Sequence, residues 1–158
     1  MHLFIMRHGD ASLVASNDVQ RPLTEQGKVE VSLMGKWLKG LGVNIEHLLV
    51  SPYLRAQQTS SELLSQLNCQ PKVKTIDIIT PSGNAARVHD YIDGFIEVSH
   101  CQQLLVVTHM PLVSYLVAQL TVDQKSPIFQ TAAIAEIDYD TTKMKGELVR
   151  LISPLDLC

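Results

Sequence analysis

The stretch "HLFIMRHGD", His2–Asp10, decides the reading of this chain. Leu3–Met6 is a short apolar run of the kind that forms a buried strand. It ends abruptly in Arg7, His8 and Gly9. A buried strand that delivers a guanidinium, an imidazole and a glycine at its tip implies chemistry there, because polar groups buried without partners are costly.

Downstream, the pattern alternates strand with helix. Asp10 to Arg21 reads as a polar loop. In "RPLTEQG" Thr24 is an expected N-cap and Glu25 suits the first helical turn. Val31, Met34, Leu38 and Leu41 form a helical stripe, and Gly40 and Gly42 signal its end. "IEHLLV" (Ile45–Val50) is a second strand. "SPYLRAQQTSSELLSQL" follows, with Ser51 expected as N-cap, Pro52 in the first helical position, and Leu63, Leu64 and Leu67 on its apolar side. "VKTIDII" (Val73–Ile79) reads as a third strand. Pro81, Ser82 and Gly83 turn the chain into a helix carrying Val88, Ile92 and Phe95. "QLLVVT" (Gln103–Thr108) is a fourth strand, and "PLVSYLVAQL" a buried helix opened by Pro111. "AAIAEIDY" and "GELVRLI" predict an antiparallel hairpin at a sheet edge, turning near Asp140–Gly146. This order implies an α/β fold with a mostly parallel, mixed central sheet.

The bulk numbers exclude several classes. The chain has 158 residues, which suits a single domain spanning 1–158. A net charge of −3 supplies no global basic field for nucleic acid or an anionic membrane. An anion site must therefore be local. Cys69, Cys101 and Cys158 are odd in number and form no CxxC, as expected of a reducing cytoplasm and not of a disulfide framework or zinc site. Leu3–Met6 is too short for a signal-peptide core, and no run approaches the length of a membrane span.

In mostly parallel sheets, function gathers beyond the carboxyl ends of the strands. Three expected tips carry unusual groups: Arg7, His8 and Gly9; then Ser51, Pro52 and Arg55; then Thr108 and His109. Two arginines offer donor forks that match phosphate oxygens. A neutral imidazole beside the anion can attack phosphorus. The second imidazole, if protonated, would stabilise charge on the phosphoryl group. His8 is the expected nucleophile, held neutral by cationic neighbours, with its tautomer set by a hydrogen bond from the other ring nitrogen to a carbonyl. Gly9 fits a turn needing positive φ or a backbone passing close to the anion. Arg21 could reach the pocket from the loop or lie on the surface. Two histidines could instead ligate a metal, but two arginines would repel the cation and no third ligand is evident. His2, His47, His89 and His100 lack such context and read as surface or structural, and Trp37 as packing.

"MRHGD" with "RPLTEQG", then "VSPYLRAQQT", then "VVTHMPLV", resembles the histidine phosphatase superfamily, and within it the small bacterial phosphohistidine phosphatases of the SixA type. The resemblance runs along nearly the whole chain. It implies a phosphoglycerate-mutase-like three-layer sandwich, a phosphorylated His8, and a phosphate pocket of Arg7, Arg55 and His109 with Gly9 and Arg21. Many members supply an acid from the segment after the third strand. Here that segment is "TIDIITPSGNAARV", whose one early acid, Asp77, is expected inside the strand. At "THMPL" many relatives have glycine after the histidine; here Pro111 lacks an N–H, so one possible backbone donor is lost.

The missing acid has a chemical sense. Alkoxides are poor leaving groups, so phosphomonoester cleavage benefits from a proton donor, whereas a protonated imidazole departs readily from phosphorus. The implied activity is hydrolysis of phosphohistidine on a partner such as a histidine phosphotransfer domain or a phosphocarrier protein, in the cytoplasm, without cofactor or metal, releasing inorganic phosphate. Nucleic acid and membrane are not expected partners. The alternatives are a small-molecule phosphomonoesterase or phosphomutase of the same superfamily, and a non-catalytic phosphate-binding module that docks phosphorelay proteins.

Overall fold

A computed structural model describes residues 1–158. Six strands form one sheet: β1 (His2–Arg7), β2 (His47–Val50), β3 (Lys72–Thr75), β4 (Gln103–Thr108), β5 (Ile134–Asp140) and β6 (Lys145–Ile152), in the spatial order β3-β2-β4-β1-β5-β6. The first four strands in that order run parallel; β5 lies antiparallel to β1, and β6 antiparallel to β5. The expected mixed sheet with its terminal hairpin at one edge is therefore present.

Alternation along the strands builds the three layers. Leu3 and Ile5 of β1, with Leu104 and Val106 of β4, enter one core. Phe4 and Met6, with Leu105 and Val107, enter the other. Successive side chains point to opposite faces, so a strand that is apolar throughout must be covered on both. Helices α3 (Ala85–Ser99) and α4 (Leu112–Leu120) cover the first face with Val88, Ile92, Ile96, Leu112 and Leu116. Helices α1 (Glu25–Gly40) and α2 (Leu54–Leu64) cover the second with Val31, Met34, Leu38, Ala56 and Leu63. Each such buried Val, Leu, Ile or Met side chain contributes roughly 1.5–3 kcal/mol before entropy is counted.

Thr24 caps α1 as its sequence implies, its hydroxyl accepting from the Gly27 N–H at 3.0 Å. Two expected boundaries are corrected. α2 begins at Leu54 after Tyr53, with no side-chain cap, so Ser51 and Pro52 lie before the helix. β3 ends at Thr75, and Ile76–Ile79 form a turn. All four β3 residues are exposed at the sheet edge, whereas Ile76 and Ile79 are buried, so the apolar run reads through a turn that packs inward. Asp77 accordingly lies outside the strand. It lines an open groove of about 730 Å³ with Lys74, Arg87 and Asp90.

Candidate active site

Strand register brings the three tips together. Arg7 pairs with Thr108 across β1 and β4, and Val50 pairs with Val107 across β2 and β4. One residue further, the His8 N–H donates to the Thr108 carbonyl at 3.0 Å and the Ser51 N–H to the Val107 carbonyl at 3.2 Å. The His8 carbonyl in turn accepts from the Ala132 N–H at 2.9 Å. Both backbone groups of His8 are thus pinned by neighbouring chain.

Its ring is equally fixed. Nδ1 lies 2.7 Å from the Gly9 carbonyl, which can only accept, so Nδ1 carries the proton and Nε2 is bare. Arg55 Nε donates toward that bare nitrogen at 3.3 Å. The His109 ring lies 5.1 Å from the His8 ring, centroid to centroid. His109 Nε2 meets the Ser51 hydroxyl at 2.7 Å, while its Nδ1 is buried with no partner. Arg7 Nη1 donates to the Phe129 carbonyl at 2.7 Å, and its buried Nε has no partner. A buried donor left open is what an oxyanion would satisfy.

Electrostatics agree with geometry. Burial, with help from Arg55 and Arg7, pulls the His8 pKa down to about 4. Burial, then His8 and Arg55, pulls His109 down to about 3. Both imidazoles are therefore neutral at pH 7 in the free site. This qualifies the expectation of a protonated His109: the charge must come with a bound anion, which favours protonation of a neighbouring imidazole. Burial also pushes the Arg7 guanidinium below its usual range, partly offset by Glu30 and Asp10.

Gly9 is needed for a reason other than positive φ. Gly42 is the one glycine with positive φ. A Cβ on Gly9 would lie 2.8 Å from the Gly27 carbonyl oxygen and 2.9 Å from Val31 Cγ2. The Gly9 N–H donates to Thr59 Oγ1 at 3.1 Å, and its carbonyl serves His8, so neither group is free for phosphate. Thr59 passes the constraint on by donating to the Arg55 carbonyl at 2.7 Å. Arg21 does not reach His8 directly: its Nε donates to the Ser12 carbonyl at 2.8 Å and its Nη1 to Asp18 Oδ1 at 3.1 Å.

Sequence reasoning missed four contributors. Ser51 was legible as a strand-tip residue, but its hydroxyl orients His109 instead of capping α2. Thr59 sits one turn after Arg55, inside an ordinary helical pattern. The Tyr53 ring lies 5.0 Å from the His109 ring and 5.1 Å from the Arg55 guanidinium carbon. Asp18 places a carboxylate on Arg55, where the three motifs themselves carry no acid but Asp10. Nothing local to its loop signals that contact. No group of three or more His, Cys, Asp or Glu side chains is placed to hold a metal ion.

The fold and the paired Arg and His tips define a class. The family model of the histidine phosphatase superfamily (branch 1) matches residues 3–78, and the chain belongs to that superfamily. It is 44% identical over 140 residues to the phosphohistidine phosphatase SixA of Escherichia coli strain K12, covering 89% of this chain and 86% of that one. It is 38% identical over 151 residues to a SixA homologue of Haemophilus influenzae, covering 90% and 91% of the two chains. A solved structure of the protein histidine phosphatase SixA complexed with tungstate superposes over 100% of both chains, with a TM-score of 0.95 and 42% identity. The phosphoglycerate-mutase-like α/β fold expected from the sequence is thereby established.

Proposed function

We propose that this chain is a protein phosphohistidine phosphatase that works through a covalent phospho-His8 intermediate. The observation that carries the reading is the bare Nε2 of His8, aimed into a pocket with the buried Arg55, the half-buried Arg7 and no free carboxylic acid. Asp10 accepts from Thr24, and Glu30 from the Asp10 N–H and Thr131. Hydrogen bonds from Arg21 and Arg55 outweigh burial and hold the Asp18 carboxyl below its usual range, which makes it a poor proton donor. The likeness to the SixA enzymes, and the tungstate bound by one of them, supports the same substrate class and an oxyanion site.

The partner's phosphoryl group enters between Arg7 and Arg55. The His8 Nε2 lone pair forms the new P–N bond as the partner's P–N bond breaks; the partner's ring, already protonated on its other nitrogen from solvent, takes the bonding pair and leaves as neutral imidazole. Water then attacks phospho-His8, releasing inorganic phosphate and restoring Nε2. Arg7 and Arg55 stabilise the equatorial oxygens in both steps, and His109 takes charge once the dianion is bound. We assign these roles to His8, Arg7, Arg55 and His109, to a single domain spanning residues 1–158. No helix is long and apolar enough to cross a membrane. The fitting partners are a histidine phosphotransfer domain or a phosphocarrier protein of cytoplasmic signalling.

The test is a trapping experiment. The protein is mixed with a ³²P-labelled phosphohistidine protein, quenched in base and mapped by mass spectrometry. Acid-labile phosphate on His8 is expected, along with faster turnover of that substrate than of p-nitrophenyl phosphate or a phosphoserine peptide. Preference for the esters would move the chain to the small-molecule phosphatase reading. Binding without turnover would make it a docking module.

A further inference from the structure

Arg55 is only 4% exposed, yet both of its outer nitrogens are engaged by Asp18. Nη1 donates to the Asp18 carbonyl at 2.7 Å and Nη2 to Asp18 Oδ2 at 3.2 Å. The other carboxylate oxygen, Oδ1, accepts from Arg21 Nη1 at 3.1 Å. One carboxylate thus bridges two guanidinium groups, one oxygen to each. Arg55 Nε faces His8 at 3.3 Å. Asp18 itself is 55% exposed and sits in a short 3-10 turn, Asp18–Gln20, capped by the Asn17 side chain. A buried arginine whose fork is filled by a surface carboxylate from a loop has the geometry of an anion site holding an internal anion.

We propose that Asp18 occupies the Arg55 fork in the resting enzyme and is displaced when phosphate binds, so that it sets how weakly the site holds free phosphate. The inference rests on the oxyanion site of the proposed function and adds a residue that governs its occupancy. The physics is competition. A phosphoryl group competes with Asp18 for the outer nitrogens of Arg55, so its apparent affinity is scaled down to the fraction of molecules in which the carboxylate has moved away. A dianion also approaches against the negative charge of Asp18. Inorganic phosphate, the reaction product, has only its own oxygens with which to displace the carboxylate. A phosphohistidine on a folded protein brings further contact area. Asp18 therefore speeds product departure and leaves the site open to partner-borne groups.

Isothermal titration of inorganic phosphate into wild type, Asp18→Asn and Asp18→Ala tests this without turnover. Asp18→Asn keeps the shape of the side chain and the backbone carbonyl but deletes the charge. Both variants should bind phosphate about 5-fold more tightly or better, as expected for loss of one competing ion pair. Inhibition of turnover by phosphate should strengthen by the same factor. Unchanged or weaker phosphate binding in both variants would overturn the proposal, since a carboxylate that merely holds Arg55 in place must lower affinity when removed. Failure of all three proteins to bind phosphate would overturn it too. Thermal denaturation of each variant separates these results from unfolding; Asp18 is exposed, so little change in Tm is expected. A variant with tighter phosphate binding in a protein that ignores phosphohistidine would sink the substrate reading and leave the role of Asp18 standing.

Discussion

Two buried histidines at opposite ends of β1 show how one residue type serves two purposes. At the amino end, the Met1 ammonium donates to the Tyr139 carbonyl, and the Tyr139 ring packs 6.4 Å from the His89 ring. His89 Nε2 meets the Tyr139 hydroxyl at 3.0 Å, the Met144 carbonyl at 3.0 Å and Asp93 at 3.2 Å, while Tyr139 also bonds Asp93. All three partners converge on Nε2, and one of them is a carboxylate. At the carboxyl end, His8 donates from Nδ1 to a carbonyl, and its proton-free Nε2 faces only the cationic Arg55, at 3.3 Å. The difference teaches that burial alone does not mark a reactive histidine. An acidic neighbour marks the structural one; cationic neighbours around a proton-free nitrogen mark the nucleophile.

The largest effect that sharpens this contrast is at His8. His8→Ala should lower phosphohistidine turnover roughly 10³-fold or more and abolish the acid-labile adduct. His89→Gln, assayed alongside, should keep its kcat within about 2-fold, because it touches no reacting atom; a large kcat loss there would break the comparison. Next is Arg55→Ala, expected to cost about 10²–10³-fold in kcat/KM, read from single-turnover rates.

A smaller effect follows from protonation. His8 and His109 have folded pKa values near 4 and 3, below the unfolded value of about 6.5. Between those limits the unfolded chain binds protons that the folded chain refuses. Their stabilising effect is complete above about pH 6.5 and declines as pH falls toward 4. Urea midpoints should therefore drop between pH 7 and 5, and His8→Gln should flatten that drop. An equal slope in the variant would show that His8 is not held neutral. Smaller still, Tyr139→Phe should cost about 1–2 kcal/mol in urea unfolding, leaving kcat unchanged.

Much of this contrast was legible in the residues. The strand tips carried Arg7, His8, Arg55 and His109, and the alternation of strand with helix implied that they share the carboxyl edge of a mostly parallel sheet. The tautomer of His8 followed from the need for a bare nitrogen. What was not legible depends on long-range geometry. Asp18 meets Arg55 across 37 positions of sequence, and Ser51 meets His109 across 58. Such contacts leave no periodic trace. β3 was read too long because buried turn residues Ile76 and Ile79 imitate a strand's apolar content. His89 passed as unremarkable because its acid partner, Asp93, sits one helical turn away, a spacing common on solvated helices.

The approach of Gly27 to the loop after β1 has a consequence for how this protein tolerates change. A methyl group on Gly27 would lie 2.1 Å from the Asp10 carbonyl oxygen, far inside any possible contact. The same loop carries Gly9, whose carbonyl orients the ring of His8. Helix α1 therefore acts as a gauge block for the nucleophile: its clearance, narrower than a single carbon atom, sets where the imidazole aims. A mutation on the far side of that helix, remote from any phosphate, can detune the reaction simply by tilting the block.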